Sequence, residues 1–427
     1  MMNRRWITLC AVVMFNLFLL VQASAEVATS INGELRFRPE FRVNADFNKA
    51  VDDTQSFYGQ RIRLGVDAKM NPDLSAFLQI QDRRNWGDDN VLTDSGEALD
   101  FHQAHVTLKN INGLPLDLKV GRQELNYGDQ RLVGGFGWSN QGRAFDAIKL
   151  MYSHEIVDID LWTAKVVEIN SDTDASPKSS GQDTDFYGIY STFKSNPVPD
   201  GNLQAYLLYK YEGATNLSEY TLGAKLAGKE TRTGIDYTGE LAYQFGDNDQ
   251  IDISAYALAI EGGYIIPNVA WSPRVALEYD YATGSDSGDE DNTFDNLYPT
   301  NHLRYGYMDY QSWMNMSDIA LKVSAKPSDK CWLYLAYHMF SLAEEKDNWY
   351  AANGATKLTG NIGEDEVGQE IDLVTRHTFN SNLKVEAGVS QFFAGDFIKN
   401  ADKNGAAAGL GTTEDSTWAY LMGTVSF

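Results

Sequence analysis

The sequence is poor in basic side chains, in cysteine and in long apolar runs, and each shortage excludes a class of protein. It has 35 lysines and arginines against 59 aspartates and glutamates, a net charge of −24. This excess of acid argues against nucleic acid as a partner, because phosphates attract basic proteins. Of the two cysteines, Cys10 lies in an N-terminal apolar run, which leaves Cys331 without a disulfide partner once that run is removed. After that run no stretch of about 18 apolar residues occurs, which excludes a transmembrane helix.

Residues 1–25 have the composition of a cleavable secretory signal. Arg4 and Arg5 precede an apolar run over residues 7–21, and the small residues Ala23 and Ala25 follow. An anchoring helix is the alternative, but this run is about 15 residues long, short of the roughly 20 that a membrane span requires. We therefore predict cleavage after Ala25. Loss of Arg4 and Arg5 with no acidic residue takes the net charge of the mature chain, residues 26–427, from −24 to −26.

Apolar residues of the mature chain recur with a period of two, from near Glu34 to the last residue. In residues 34–43, apolar side chains occupy positions 35, 37, 41 and 43, and charged side chains occupy positions 34, 36, 38, 40 and 42. The same alternation occurs in residues 61–69, 321–325 and 383–390. It predicts strands with one apolar and one polar face, which form either a soluble β-sandwich or a membrane β-barrel.

The lengths of the connections between these strands favour the membrane barrel. In outer-membrane barrels, short periplasmic turns and long extracellular loops lie at opposite ends. The predicted short turns lie at residues 71–73, 112–113, 195–201, 326–330 and 380–382. The predicted long loops lie at residues 44–56, 87–100, 128–142, 283–317, 344–368 and 394–416. Aromatic residues near the strand ends match the interfacial girdle of such barrels.

These turns predict an all-β fold, a transmembrane antiparallel β-barrel of about 18 strands (16–18) in the bacterial outer membrane. An even number of strands returns the C-terminus to the periplasmic side. The last strand ends at Phe427, a terminal aromatic typical of strands that the barrel-assembly machinery recognises. A barrel of this size encloses an aqueous lumen, so the charged faces of its strands form the inner wall.

Arginines are concentrated near the start of the mature chain. Residues 26–150 carry 15 basic against 18 acidic side chains, whereas residues 151–427 carry 18 against 41. Strand parity turns five arginines of the first two strands inward, and we call them the arginine ladder: Arg36, Arg38, Arg42, Arg61 and Arg63. A guanidinium binds a carboxylate in bidentate fashion, so the ladder would lower the electrostatic barrier for a polyanion.

A structural role is the alternative for these arginines. They would then form ion pairs across strands that stiffen the barrel, with partners among Glu34, Glu40, Asp67, Asp129 and Asp146. For any single arginine, pairing is the better interpretation. For the ladder as a whole, the density of arginines favours a role in selectivity.

The segment GRQELNYGDQRLVGGFGWSNQGRAFD, residues 121–146, adds three arginines among glycines and polar residues. Together with AFLQIQDRRNWGDD (76–89), YPTNHLRYGYMD (298–309) and GQEIDLVTRHTFN (368–380), it resembles the alginate-export family of outer-membrane β-barrels. The resemblance extends over almost the whole mature chain. It implies a monomeric, 18-stranded barrel whose basic constriction passes the uronate polymer alginate out of the cell.

The resemblance also implies roles for side chains of this segment. The candidates for the constriction wall, or for the loop that lines it, are Arg122, Arg131 and Arg143. The side chains that would hold them or shape the region are Gln123, Tyr127, Asp129, Trp138 and Asp146. Parity places Arg122 on the face of Leu118 and Val120, so it reaches the lumen only if a bulge or the strand end turns it.

Three further features of the sequence bear on catalysis or metal binding. The acidic segment 284–296 has the carboxylate density of a Ca²⁺ loop, but it lacks an EF-hand pattern and a solvated extracellular loop is the better interpretation. His102 and His105 are predicted on opposite faces of a strand, which argues against a shared metal. No inward pair of serine and histidine is evident, so we expect no enzyme and no cofactor.

The predicted function is therefore passive passage of an anionic, alginate-like polysaccharide through an arginine-lined lumen. A porin for small solutes is the alternative within transport. A non-conducting structural or adhesive barrel is the alternative from another class. In each case the expected surroundings are outer-membrane lipid and lipopolysaccharide.

Overall fold

The computed structural model of the protein describes residues 27–50, 52–87, 99–167, 183–194, 201–249, 251–286, 288–302, 304–403 and 413–427. The predicted signal, residues 1–25, lies outside the described residues, as do most of the predicted loop 87–100 and of the predicted turn 195–201. Cleavage after Ala25 therefore stays a prediction.

Strands make up almost all of the regular structure in the described residues. They are β1 Ala28–Val43, β2 Gln55–Asn71, β3 Leu74–Asn85, β4 Leu99–Leu108, β5 Leu116–Gln123, β6 Phe145–Ser153, β7 Val157–Val167, β8 Thr184–Phe193, β9 Gly201–Glu212, β10 Leu217–Glu230, β11 Ile235–Asn248, β12 Ile251–Ile265, β13 Arg274–Ala282, β14 Glu290–Asp291, β15 Met316–Ser328, β16 Cys331–Ser341, β17 Trp349–Tyr350, β18 Thr356–Leu358, β19 Glu366–Thr378, β20 Leu383–Ala394 and β21 Ser416–Ser426. One 3₁₀ turn, Ile111–Gly113, and one short α-helix, Asp396–Lys403, accompany them. Within these ranges no helix is long and apolar enough to cross a membrane.

Eighteen of these strands form one closed antiparallel barrel, and β14, β17 and β18 lie in loops. Each barrel strand pairs with the next barrel strand along the chain. The seam closes where β1 also pairs with β21, with Glu34 opposite Ser426. Closure leaves no free sheet edge. The predicted all-β barrel of 18 strands is therefore confirmed.

The first and last strands place residue 28 and Phe427 at the same end of the barrel. We call this the short-turn end, and the opposite end the long-loop end. The predicted loops 44–56, 128–142, 283–317, 344–368 and 394–416 all leave strands at the long-loop end. Two connections at that end are short, contrary to the predicted alternation: 213–216 and 249–250. Asn216 and Asp249 take positive φ values of 53° and 60°, which asparagine and aspartate tolerate in tight turns.

The two faces of the barrel wall follow the period of two in the sequence. Leu35, Phe41 and Leu64 are 45%, 44% and 40% exposed on the outer face. Arg36 and Arg61, on the inner face of the same strands, are only 5% and 4% exposed. Adjacent side chains of a strand point to opposite faces, so apolar residues meet the membrane and charged residues meet the lumen.

Two long loops fold back into the barrel and bury the inner wall. The first comprises residues 124–144 and the second residues 283–315. They hydrogen bond to each other through their backbones, from Gly134 N to Tyr298 O at 2.8 Å and from Tyr298 N to Leu132 O at 2.9 Å. Buried side chains from both loops, including Leu132 and Trp313, belong to one cluster with inward residues of the wall. The lumen is therefore occupied by the chain's own loops on this side.

Gly121 on β5 is required by the backbone at the point where β5 meets β4. Its φ is 123°, a conformation that other residues rarely adopt, and a methyl group there would overlap the carbonyl oxygen of Ala104. We expect Gly121→Ala to lower the free energy of unfolding by about 2 kcal/mol. Gly262→Ala on β12 is the control, because Gly262 has no atom within 4 Å of the added methyl group. Denaturant unfolding in lipid vesicles measures both, and equal values for the two variants would contradict the expectation.

Candidate functional site

The arginine ladder lies on the inner face of β1 and β2, as predicted. Arg36 and Arg61 are direct cross-strand neighbours, and like charges in that position repel each other. Arg38 and Arg63 flank them on the same face, whereas Arg42 lies nearer the long-loop end and its side chain is 22% exposed. The fold therefore brings four guanidinium groups together and sets the fifth at the end of the row.

The 124–144 loop accepts hydrogen bonds from Arg36 and Arg61 of the ladder. Arg36 donates to Gly137 O at 2.7 Å, to Trp138 O at 2.8 Å and to Asn140 Oδ1 at 2.7 Å. Arg61 donates to Gly137 O at 2.9 Å and to Ser139 O at 2.8 Å. Every one of these acceptors is uncharged, so the loop hydrogen bonds to the guanidinium groups without forming an ion pair with them.

Carboxylates compensate only part of the ladder. Arg61 pairs with Glu34 at 2.7 Å across β1 and β2, as the cross-strand alternative predicts. Arg38 also pairs with a predicted partner, Glu40 at 2.7 Å, but along its own strand. Arg42 also contacts Glu40, at 3.6 Å. Arg36 forms no ion pair with any described residue. Asp67, another predicted partner, accepts instead from Asn32 at 3.1 Å.

Arg63 is held at the root of the 124–144 loop. It donates to Gln81 Oε1 at 2.7 Å and lies 3.5 Å from Glu124. Burial raises the pKa of Glu124, but hydrogen bonding from His102 and the charge of Arg63 outweigh it, so the pKa falls below its ordinary value. Glu124 therefore carries a negative charge that binds the start of the loop to the ladder.

Trp138, at the tip of the 124–144 loop, lies against the ladder as predicted. The Arg38 guanidinium is 3.9 Å from its ring centroid, and the His302 ring is stacked at 3.8 Å. Tyr420 meets its edge at 5.0 Å. Cation–π attraction and stacking thus hold the loop tip between β1, β21 and the 283–315 loop, and His302 is itself held by Asp309 at 3.0 Å.

Arg131 does not join the ladder. It is 2% exposed and contacts the wall at β13, through Glu278 at 2.5 Å and Asp280 at 3.1 Å. Burial opposes its charge, but Asp280 and the nearby acidic groups raise its pKa above the ordinary value. Asp129 lies 3.5 Å from Arg131, and although burial raises the pKa of Asp129, the charge of Arg131 dominates and lowers it. The predicted pair of Arg131 and Asp129 exists, as part of an anchor rather than of an open wall.

Arg143 joins the two inner loops. It donates to Gly134 O at 3.2 Å and to Pro299 O at 2.8 Å. Burial lowers its pKa to about 10, and no carboxylate of the described residues pairs with it. Its role here is to hold backbone carbonyls of both loops together.

The prediction that Arg122 lies in the lumen is wrong, although Asp146 is a partner of an arginine, as predicted. They pair with each other at 3.2 Å across β5 and β6, on the face that exposes Val120 and Ile148 by 42% and 51%. The pairing of β5 with β6 continues without a shift from Leu116 to Gln123. Because no bulge or strand end reverses the parity, both side chains stay on the outer surface.

Gln123 and Tyr127 lie inside the barrel, as predicted. Gln123 is fully buried and donates to Gly121 O and to Ala147 O, both at 3.1 Å. Tyr127 donates to Asp160 at 2.8 Å and stacks on Trp162 at 4.6 Å. Both shape the base of the 124–144 loop, below the ladder.

A bulge changes one further prediction. The register of β3 and β4 shifts between Gln79 and Ile80, so His102 and His105 both face inward rather than to opposite sides. His102 binds Glu124 at 2.7 Å, and His105 packs against Phe77 at 5.5 Å. Across the described ranges no group of three or more histidine, cysteine, aspartate or glutamate side chains is arranged to hold a metal ion, and Asp286 and Glu290 of the acidic segment are exposed.

Sequence reasoning missed the acidic partners of the inner loops. Glu278 and Asp280 on β13 are 1% and 0% exposed and bind Arg131, 147 positions earlier in the chain. Asp160 on β7 binds Tyr127. The alternation of apolar and polar residues along β7 and β13 does predict that these three acidic side chains point inward. Only the path of the 124–144 loop across the lumen shows which cation reaches them.

Comparison with known proteins agrees with this architecture. A family model for alginate export matches residues 27–408. Three outer-membrane proteins of Pseudomonas aeruginosa share the fold: OccK11 (OpdR), with a TM-score of 0.59 at 13% identity over 93% of this chain and 96% of that chain; OccD3 (OpdP), 0.59 at 10% over 95% and 93%; and OprD, 0.59 at 12% over 93% and 94%. Among curated protein sequences no match is found.

The ladder holds the tip of the 124–144 loop, so removing its donors should release that tip. In Arg36→Gln with Arg61→Gln, the bonds to residues 137–140 are lost or weakened. Hydrogen bonds to charged groups contribute about 1.5–3 kcal/mol each, so we expect amide exchange of residues 136–141 to accelerate by roughly tenfold or more. The single-channel conductance of this double variant should also rise. Arg122→Gln, which removes one arginine from the outer face, is the control. Unchanged exchange and conductance in the double variant would show that the ladder does not hold the loop.

Proposed function

Because this chain belongs to the alginate-export family and is a porin-like channel of the outer membrane, we propose that it passes an anionic polysaccharide, an alginate-like uronate polymer, across that membrane. Passage is passive and directed by charge. The ladder attracts the carboxylates of the polymer, and several weak sites in sequence allow it to move on.

One observation carries this proposal: Arg36, at the centre of the ladder, is bound by neutral acceptors and pairs with no carboxylate of the described residues. Arg36 binds three oxygens, and all three are uncharged. A carboxylate that replaces such a carbonyl oxygen gains a charge-assisted hydrogen bond, which is roughly twice as strong as a neutral one. A polyanion can therefore compete with the 124–144 loop for the same guanidinium groups, whereas a neutral sugar cannot.

The packing of Trp138 favours a second candidate, a porin for small anionic solutes. The ring is enclosed between Arg38 at 3.9 Å and His302 at 3.8 Å. A polymer that uses this part of the lumen requires the loop tip to move, and a small anion does not. The third candidate, a structural or adhesive barrel, requires that no current pass.

The other partners that we propose are the lipid of the outer membrane and the barrel-assembly machinery. The outer face, with Leu35 and Phe41 exposed, fits outer-membrane lipid and lipopolysaccharide. The assembly machinery would recognise the strand that ends at Phe427, whose backbone pairs with Gly33 at the seam. We propose a monomer, since one chain closes the barrel without a strand from a second copy, and we expect no cofactor.

Recording from single channels in planar bilayers tests the function. We expect preference for anions despite the net charge of the chain, and block of the current by oligouronates but not by neutral oligosaccharides of equal length. Preference for cations without block excludes anion transport. Anion preference with block by small carboxylates alone supports the small-solute porin, and absence of current supports the structural barrel.

Reversing the charge of the ladder should weaken the selectivity. In Arg61→Glu with Arg63→Glu, the anion-to-cation permeability ratio should fall by roughly fivefold, the effect of about 1 kcal/mol of lost attraction. The matched control is Arg122→Glu with Arg232→Glu, since Arg122 lies on the outer face and Arg232 is 88% exposed at a short turn. The reversal potential in a salt gradient measures the ratio. If both double variants shift it equally, the ladder does not set the selectivity.

A further inference from the structure

A second group of cations lies on the lumen wall below the 124–144 loop, toward the short-turn end. Lys119 on β5 and Lys149 on β6 are direct cross-strand neighbours on the inner face. We call them the lysine pair. Lys149 lies 5.6 Å from the ring of Tyr127, which belongs to the loop inside the barrel. The pair therefore faces the lumen, although the arginine ladder does not include it.

The charge of the lysine pair is not fully compensated. Lys149 binds Asp160 at 3.1 Å, and the same carboxylate oxygen accepts from Tyr127 at 2.8 Å. Lys119 forms no hydrogen bond or ion pair with any described residue. Of the two amines only that of Lys149 thus has a carboxylate partner among the described residues, and like charges placed directly opposite on a sheet repel each other. One anionic group between the amines would remove the repulsion.

Side chains near the pair leave it accessible and offer a further polar atom. The side chain of Lys149 is 13% exposed and that of Asp160 is 24% exposed, so solvent reaches this part of the wall. His105 lies on the adjacent strand β4, two residues from Thr107, the cross-strand neighbour of Lys119. Its Nδ1 is buried without a partner. An anion at the lysine pair therefore has polar groups on three neighbouring strands.

The position of the pair relates it to the ladder. Arg63 contacts Glu124, the residue that follows β5, at 3.5 Å. Lys119 lies four residues below Gln123, the last residue of β5, which is about 13 Å along the strand at about 3.3 Å per residue. A chain of several sugar units spans that distance, and a disaccharide does not. One polymer could therefore bind both groups of cations at once.

We propose that Lys119 and Lys149 form a second anion site, which binds a carboxylate of a uronate polymer on the short-turn side of the ladder. This inference rests on the proposed function and adds a second binding site for the same polymer. Simultaneous binding at two sites raises the affinity for the polymer without any new contact at either site. The channel should therefore bind long oligouronates more tightly than short ones.

The test compares block of the single-channel current by a uronate octamer and a uronate dimer, added at the short-turn face. In Lys119→Gln with Lys149→Gln, the apparent Kd of the octamer should rise by roughly tenfold, as when hydrogen bonds to a charged group are lost. The Kd of the dimer should stay within about twofold of the wild-type value, because the dimer binds at the ladder. Lys119→Arg with Lys149→Arg, which keeps both charges, should retain tight binding of the octamer.

The control is Lys229→Gln with Lys384→Gln, which removes the same charge from exposed positions at the short-turn ends of β10 and β20. Octamer affinity that is equal in the two glutamine double variants overturns the second site and leaves the proposed function intact. A wild-type channel that neither oligomer blocks overturns both proposals. Heat-modifiable migration of each variant in gels establishes that the barrel has folded.

Discussion

The site depends on hydrogen bonds from the guanidinium groups of β1 and β2 to the backbone carbonyls of residues 137–139. Arg36 and Arg61 would repel each other as cross-strand neighbours. The carbonyl dipoles of the loop make that arrangement favourable, and in return the guanidinium groups hold the loop inside the barrel. The same contacts thus stabilise the basic wall and set how much of the lumen stays open.

The 124–144 loop contacts two parts of the inner wall, one basic and one acidic. Its tip lies on the arginine ladder, while Arg131 reaches across to Glu278 and Asp280 on β13. An unpaired buried carboxylate is unfavourable, and Arg131 compensates Asp280 and, together with Lys322 of β15, Glu278. The same loop therefore supplies a cation to the acidic side, whereas to Arg36 it supplies only neutral oxygens. As a result Arg36, on the inner wall of a strongly acidic chain, has neutral hydrogen-bond acceptors and no ion pair among the described residues.

Much of the fold was predictable, because a barrel wall repeats one local rule. Each side chain faces either membrane or lumen, and the alternation around Leu35 and Arg36 shows which. The same rule predicted the inward ladder, and it identified Arg122 as the residue that would need a bulge. No bulge exists on β5, so Arg122 stays on the outer face with Asp146. A bulge does exist near His102, where the sequence carries no sign of it.

The face on which most strand residues lie, the arginines of the ladder included, was thus settled by the order of residues, since parity follows from neighbours one or two positions apart. The partners of those arginines were not. Arg131 and Glu278 are 147 positions apart, and Arg36 meets Gly137 across 101 positions. Such contacts depend on the path of a loop across the lumen, and no periodicity encodes that path. The folded barrel was needed to show that the ladder binds the protein's own backbone, at residues 137–139 of the inner loop.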